Sequence, residues 1–315
     1  MTLSYIMTGS PFTQFRDLKP FSALMFSAFI VLVVFLAVQF IAALVAIPFF
    51  GIGRVSSMLE GLNIDDPETI RLLKFFQTAQ AIGLFIVPSF LVAWLLDGRV
   101  MRYLSLDRTA GAVSCILVIL LVFVINPFIN FTGSLNAEMH LPPFLGRLEE
   151  WMRTAEKNAE ELTAAFLEVD GIGGLLFNLL MVAILPAFGE ELLFRGVIQQ
   201  QLTRWTRSHH WGIWLAAILF SALHLQFYGF IPRMLLGGMF GYLLVWSGSL
   251  WLPVLAHFVN NAGAVIALWM IDHDIIAPEI EEFGAGTEYW PYAAASLILG
   301  GIVLFTLRKQ ARDAS

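Results

Sequence analysis

Long apolar runs separated by short charged stretches dominate the chain, near residues 22–50, 76–96, 111–132, 173–199, 211–227, 230–247, 250–271 and 290–307. Most approach the ~20 residues a helix needs to cross the hydrocarbon of a bilayer. The pattern predicts an all-α fold, a polytopic transmembrane helical bundle of about eight spans. The fifth and sixth windows are short and closely spaced, which leaves a re-entrant arrangement open there. Between the third and fourth, Leu145, Leu148, Trp151, Leu162 and Phe166 recur at near-helical spacing among charged residues. That spacing predicts an amphipathic helix on the outer surface. Residues 272–289 are acidic and read as a loop. The first run follows Arg16 and Lys19, is too long for a signal peptide and has no small-residue cleavage site, so it reads as a retained span. Without an internal repeat or P-loop, one transmembrane domain (22–307) is expected, with a cytoplasmic N-terminal segment (1–21) and a cytoplasmic tail (308–315).

Composition agrees. The 315 residues are 58% hydrophobic and 13% charged, about half the charged fraction of a soluble domain. An integral membrane protein in contact with the lipid bilayer is implied. The net charge of −6 argues against a nucleic-acid partner. Cys115 is the single cysteine, so no intrachain disulfide can form. With the N-terminus inside, the cytoplasmic segments hold ten basic residues against four acids, and the opposite side six against eighteen. By the positive-inside rule both termini are cytoplasmic, and the membrane is expected to be the inner (plasma) membrane of the cell.

Against this apolar background a few polar residues stand out. Glu190, Glu191 and Arg195 fall within the fourth span, His224 near the end of the fifth, and His257 and Asn261 one turn apart on the seventh. Each ionised group at bilayer depth costs about 2.5–3.5 kcal/mol on insertion scales, so partners are required. Residues at i and i+4 share a helix face while neighbours diverge by about 100°. Glu191 is therefore placed to pair with Arg195, leaving Glu190 to face a cavity as a proton acceptor. His257 and Asn261 can aim donors at one point, as an oxyanion requires, or serve as hydrogen-bonded glue between helices. Pro186 and Pro253 each lie four residues before a polar residue, Glu190 and His257, and are expected to kink their spans. Gly237 and Gly241 suit close helix packing. Arg233 reads as a side chain that snorkels to the outer boundary.

Taken in order, Glu190-Glu191-…-Arg195, Phe220-…-His224 and His257-…-Asn261 resemble the CPBP family of intramembrane endopeptidases, which includes CAAX prenyl proteases and bacteriocin-processing proteins. The resemblance covers residues 173–265. It implies a membrane-embedded peptidase core, here 173–271, with Glu190 and His224 activating water and His257 and Asn261 stabilising the oxyanion. Glu191, Arg195 and Phe220 would support them. Whether such a site uses zinc stays open: Glu190, His224 and His257 are the candidate ligands, and a metal-free mechanism with Glu190 as base is the alternative. The expected activity is hydrolysis of a peptide bond in a membrane-associated peptide or protein, CAAX-type by resemblance, reached from the cytoplasmic side or laterally. A non-catalytic immunity or binding protein and a proton-coupled transporter are the other readings.

Overall fold

The computed structural model describes residues 15–57, 63–280 and 283–313. Most of the expected cytoplasmic N-terminal segment, part of the loop after the first span, Glu281 and Glu282 of the acidic loop, and the last two residues of the tail lie outside the described residues. Those described form helices, turns and loops, with no strand among them. The main elements are α1 (Pro20–Phe50), α2 (Pro67–Leu96), α3 (Ala112–Ala137), α4 (Gly146–Leu167), α5 (Ile172–Thr206), α6 (His209–Ala222), α7 (Phe230–Ser247), α8 (Trp251–Asp272) and α9 (Thr287–Asp313). Among the described residues seven of them, all but α4 and α6, are long and apolar enough to cross a membrane. The all-α membrane bundle expected from the hydropathy pattern is the observed architecture.

Two boundaries moved for local reasons. α2 begins well before residue 76 because Asp66 caps it, accepting from the Glu68 N–H (3.2 Å) and the Thr69 hydroxyl (2.9 Å), with Pro67 at the first helical position. Capping residue and proline together make a strong start signal, but Glu68, Arg71 and Lys74 in the opening turns hide it from an apolar window. At the C-terminus, α9 runs on through Arg308 to Asp313, where a tail was expected.

The fifth expected span, 211–227, is corrected. α6 has only 14 residues, about 21 Å of helix. The chain leaves the helix at Leu223 and turns through Leu225 in a left-handed conformation (φ 55°) before α7 starts. His224 therefore sits in a turn and not on a span. Asn136 of α3 holds this irregular stretch, donating to the Phe227 carbonyl (3.1 Å) and accepting from the Ile231 N–H (2.7 Å). Non-helical backbone at membrane depth needs such internal partners.

The two prolines expected to kink their spans sit in different settings. Pro186 and Pro88 each follow a π-helical turn, at Leu179–Ile184 in α5 and Ala81–Ile86 in α2. A wider turn accommodates the missing proline N–H. Pro253 lies in the first turn of α8, where its N–H would have had no helical partner, so no kink arises there.

α5 is the hub of the bundle. Leu192, Leu193, Phe194 and Val197 pack with Val92, Ala93, Leu104, Phe220 and Leu250, while a second core joins Val118, Leu121, Phe240, Leu243 and Ala256. Large apolar side chains on α1, such as Phe29, Leu36 and Phe40, point outward, as a lipid-facing helix requires. Gly189 allows α5 to meet α2: a Cβ there would lie 2.9 Å from Phe85 Cβ and 3.1 Å from Ile86 Cγ1.

Candidate active site

The site grows from α5. Glu191 and Arg195, one turn apart, form a fully buried ion pair with Nη1 3.0 Å from Oε1, at 0% and 1% exposure. The close approach that Gly237 and Gly241 give to α7 exposes its carbonyls to α5. Arg195 Nη2 donates to the Gly237 carbonyl (3.0 Å) and, one turn on, Gln199 Nε2 donates to the Gly241 carbonyl (3.2 Å). The guanidinium also rests on the faces of Phe220 (4.8 Å) and Phe240 (5.6 Å). A buried charge is tolerated only with this density of partners.

Glu191 does more than neutralise Arg195. His257 Nδ1 donates to the same Oε1 at 2.9 Å, and Phe240 stacks on the imidazole with centroids 5.3 Å apart. This fixes the ring and aims Nε2 toward Glu190, 3.8 Å from Oε2. His224, although beyond the helix end, is held as firmly. Its Nδ1 donates to the Phe220 carbonyl (2.7 Å) and its ring meets Phe220 edge-on at 4.8 Å. That bond leaves Nε2 as an acceptor. Asn261 lies beside them, with Nδ2 donating to the Val182 carbonyl (3.0 Å). Pro186 cannot supply that oxygen with a helical N–H, so Asn261 supplies one from α8. The second amide hydrogen of Asn261 remains free for another acceptor.

Glu190 faces away from the Arg195 pair, as its position next to Glu191 on a helix implies, and borders two cavities. One, of about 640 Å³, is an apolar cleft between α1, α2, α5 and α6, lined by Leu24, Val31, Phe35, Leu84, Leu193 and Leu219. The other, of about 660 Å³, is the more polar of the two and lies beneath α4, lined by Thr163, Gln226, Arg233, His257, Asn260 and Asn261 among others. Glu190, His224 and Gln77 border both. The second opening lies at the α4 end of the bundle, opposite the basic segments around Arg99 and Arg204. α4 roofs it, with Trp151 against Phe227 (5.4 Å), Arg153 over Tyr228 (4.5 Å) and Glu156 accepting from the Tyr228 N–H (3.1 Å).

All the polar residues singled out in the sequence meet in this one region. Two further participants were not: Gln77 opens onto both cavities from the polar-starting part of α2, and Phe240 stacks on His257. Arg233, expected to snorkel outward, lines the polar cavity instead. Arg233 and Phe240 share a face of α7, two turns apart at i and i+7. For zinc the arrangement does not fit: among the described residues no three His, Cys, Asp or Glu side chains converge as metal ligands would.

The stretch that carries these groups has relatives. Residues 172–263 match the family described as Rce1-like, type II CAAX prenyl endopeptidase. This segment resembles that family. The chain is also 34% identical over 89 residues to the uncharacterized protein YpbD of Bacillus subtilis (strain 168), a stretch covering 27% of this chain and 42% of that protein. No solved structure matches the chain. The Rce1-like segment runs from the start of α5 into α8, so it contains Glu190, Glu191, Arg195, Phe220, His224, His257 and Asn261, while α1, α2 and α4, which close the two cavities, lie outside it.

Proposed function

We propose that this integral membrane protein is an endopeptidase that hydrolyses a peptide bond of a membrane-associated peptide or protein, CAAX-type in keeping with its Rce1-like segment. The single domain 22–307 would carry its peptidase core at 173–271. The observation that carries this reading is the position of Glu190 and His224 on the wall shared by an apolar cleft and a polar cavity. A substrate with an apolar anchor and a polar backbone needs both environments at the reacting bond.

In this mechanism a water held by His224 Nε2 loses a proton to Glu190 as its oxygen attacks the carbonyl carbon. The oxyanion that forms accepts from the free Asn261 N–H and from His257, whose donor role requires a proton on Nε2. Glu191, through Nδ1, orients that ring. Collapse of the tetrahedral intermediate breaks the C–N bond, and Glu190 returns its proton to the leaving amine. Arg195 and Phe220 act on this chemistry only by holding Glu191 and the two imidazoles in place.

The test is cleavage of a farnesylated fluorogenic peptide by the purified full chain in lipid nanodiscs. Glu190→Gln keeps the shape and removes the base, so turnover should fall at least about 10²-fold. Undiminished cleavage in Glu190→Gln would refute the mechanism. Proton-coupled solute flux in liposomes without any cleavage would instead establish a transporter.

A further inference from the structure

Away from α4, at the end of the bundle where α7 and α9 finish and α3 and α8 start, lies a further cavity of about 730 Å³. Arg108, Arg308 and Arg312 stand on its wall, and among the described residues that line it there is no carboxylate. α9 carries two of the three, one turn apart and so on one face, because the helix runs on past Leu307. The Ser114 hydroxyl donates to Gln310 Oε1 (3.1 Å) and ties the start of α3 to this end of α9. Arg108 arrives from the connection before α3. Its carbonyl accepts from the Ser249 hydroxyl (2.6 Å), and its side chain crosses Gly248, where a Cβ would fall 2.6 Å from Nη1. Arg308 lies over the ring of Trp246, 6.0 Å from its centroid.

Helix ends do not account for this charge. Each terminus carries about half an elementary charge, positive at a start and negative at an end, so two starts and two ends cancel. Among the described residues neither Arg108 nor Arg308 has a carboxylate within 4 Å, and neither guanidinium donates a hydrogen bond. Each therefore keeps five N–H donors in a planar fork that matches phosphate oxygens. The rest of the lining says what carries the phosphate. Leu243, Leu252 and Leu307 give the cavity a buried apolar floor, and Trp246 is the type of side chain that sits at the boundary of lipid and water. On the same helices Ile116 and Phe123 of α3 and Ile302 and Phe305 of α9 face outward, a surface that acyl chains can follow. A free phosphate has no use for apolar walls, whereas a phospholipid needs both environments.

We propose that this cavity binds the headgroup phosphate of an anionic membrane phospholipid, with Arg108 and Arg308 as its donors and Arg312 adding to the positive field. The bound lipid would link the ends of α7 and α9 to the start of α3. The site lies at the opposite end of the bundle from the cavity beneath α4 and does not depend on the peptidase reading. With the orientation expected from the charges, it opens to the cytoplasmic leaflet, where basic pockets between helices meet anionic headgroups.

The full chain in neutral detergent is titrated with phosphatidylglycerol, with phosphatidylcholine of the same acyl chains, and with inorganic phosphate, and bound ligand is counted by native mass spectrometry. Charge-assisted hydrogen bonds predict that phosphatidylglycerol binds about 10- to 100-fold more tightly than phosphatidylcholine. Arg108→Gln combined with Arg308→Gln should abolish that preference. Arg102→Gln, in the same connection but outside the cavity, should leave it unchanged. Equal binding of the two lipids by the unaltered chain overturns the site. So does a preference that survives the double substitution, or one that Arg102→Gln lowers as much, since the surface charge as a whole would then be responsible. Inorganic phosphate binding as tightly as phosphatidylglycerol would make the ligand a free anion and overturn the lipid assignment. Should the double variant not fold, phosphatidylglycerol with a photoreactive headgroup decides on the unaltered chain. Adducts within 108–114, 243–248 or 307–312 uphold the site, and adducts only elsewhere overturn it.

Discussion

The Glu191–Arg195 pair offers a sharp separation of stability from catalysis. At 3.0 Å the gross attraction is about 5.5 kcal/mol with an effective dielectric of about 20. Both groups are essentially inaccessible to water, so removing Glu191 leaves Arg195 charged without a carboxylate, and removing Arg195 leaves Glu191 charged with His257 as its remaining partner. Arg195→Met is therefore expected to cost about 3–5 kcal/mol, and Glu191→Leu a similar amount. The double variant removes both charges and fills the space with apolar atoms, so it should recover most of the loss and unfold within about 1–2 kcal/mol of the parent. Catalysis should not recover with it, because His257 Nδ1 loses its acceptor whenever Glu191 is absent and the imidazole is no longer held toward Glu190. Unfolding of the four proteins in mixed detergent–SDS micelles, alongside peptide turnover, measures both quantities. The reasoning fails if Arg195→Met costs less than about 1 kcal/mol, if the double variant is as unstable as the sum of the singles, or if it regains activity.

Other outcomes follow from individual contacts. Gly189→Ala places a methyl 2.9 Å from Phe85 Cβ and should destabilise by about 1–3 kcal/mol through overpacking. Gly263→Ala, with nothing within 4 Å, should be near neutral in the same SDS unfolding assay. Asn261→Ala removes both an oxyanion donor and the partner of the Val182 carbonyl, so kcat should fall about 10²–10³-fold with a stability loss near 1 kcal/mol; an unchanged kcat would remove Asn261 from the site. Outside the membrane, Arg153 and His140 hydrogen-bond Glu149 and hold its carboxyl down at about 2, from 4.5. Because the folded value is the lower one, the stabilisation is fully present above about pH 4.5 and is lost as pH falls toward about 2. Amide exchange at the α3–α4 junction should show that loss, and Glu149→Gln should abolish its pH dependence.

Much of this site was legible from spacing alone. Periodicity required Glu191 and Arg195 to share a face and Glu190 to leave it, because four residues nearly complete a helical turn and one residue does not. Apolar run length likewise determined the membrane bundle and most of its helices. Local polarity misled at two places: the charged first turns of α2 concealed a capped helix start, and the apolar stretch after Ala222 looked helical although Asn136, distant in sequence, pins it as a turn. What only the tertiary structure decided is which helices meet. Glu191 gains His257 from α8, the Val182 carbonyl gains Asn261, and Arg233 turns into a cavity beneath α4 when its position on α7 suggested a path to the surface. Those pairings depend on how closely helices approach and at what rotation, which small residues such as Gly189, Gly237 and Gly241 permit. Each helix's own pattern states which face is polar, but the partner of that face is set by packing between segments far apart in the chain.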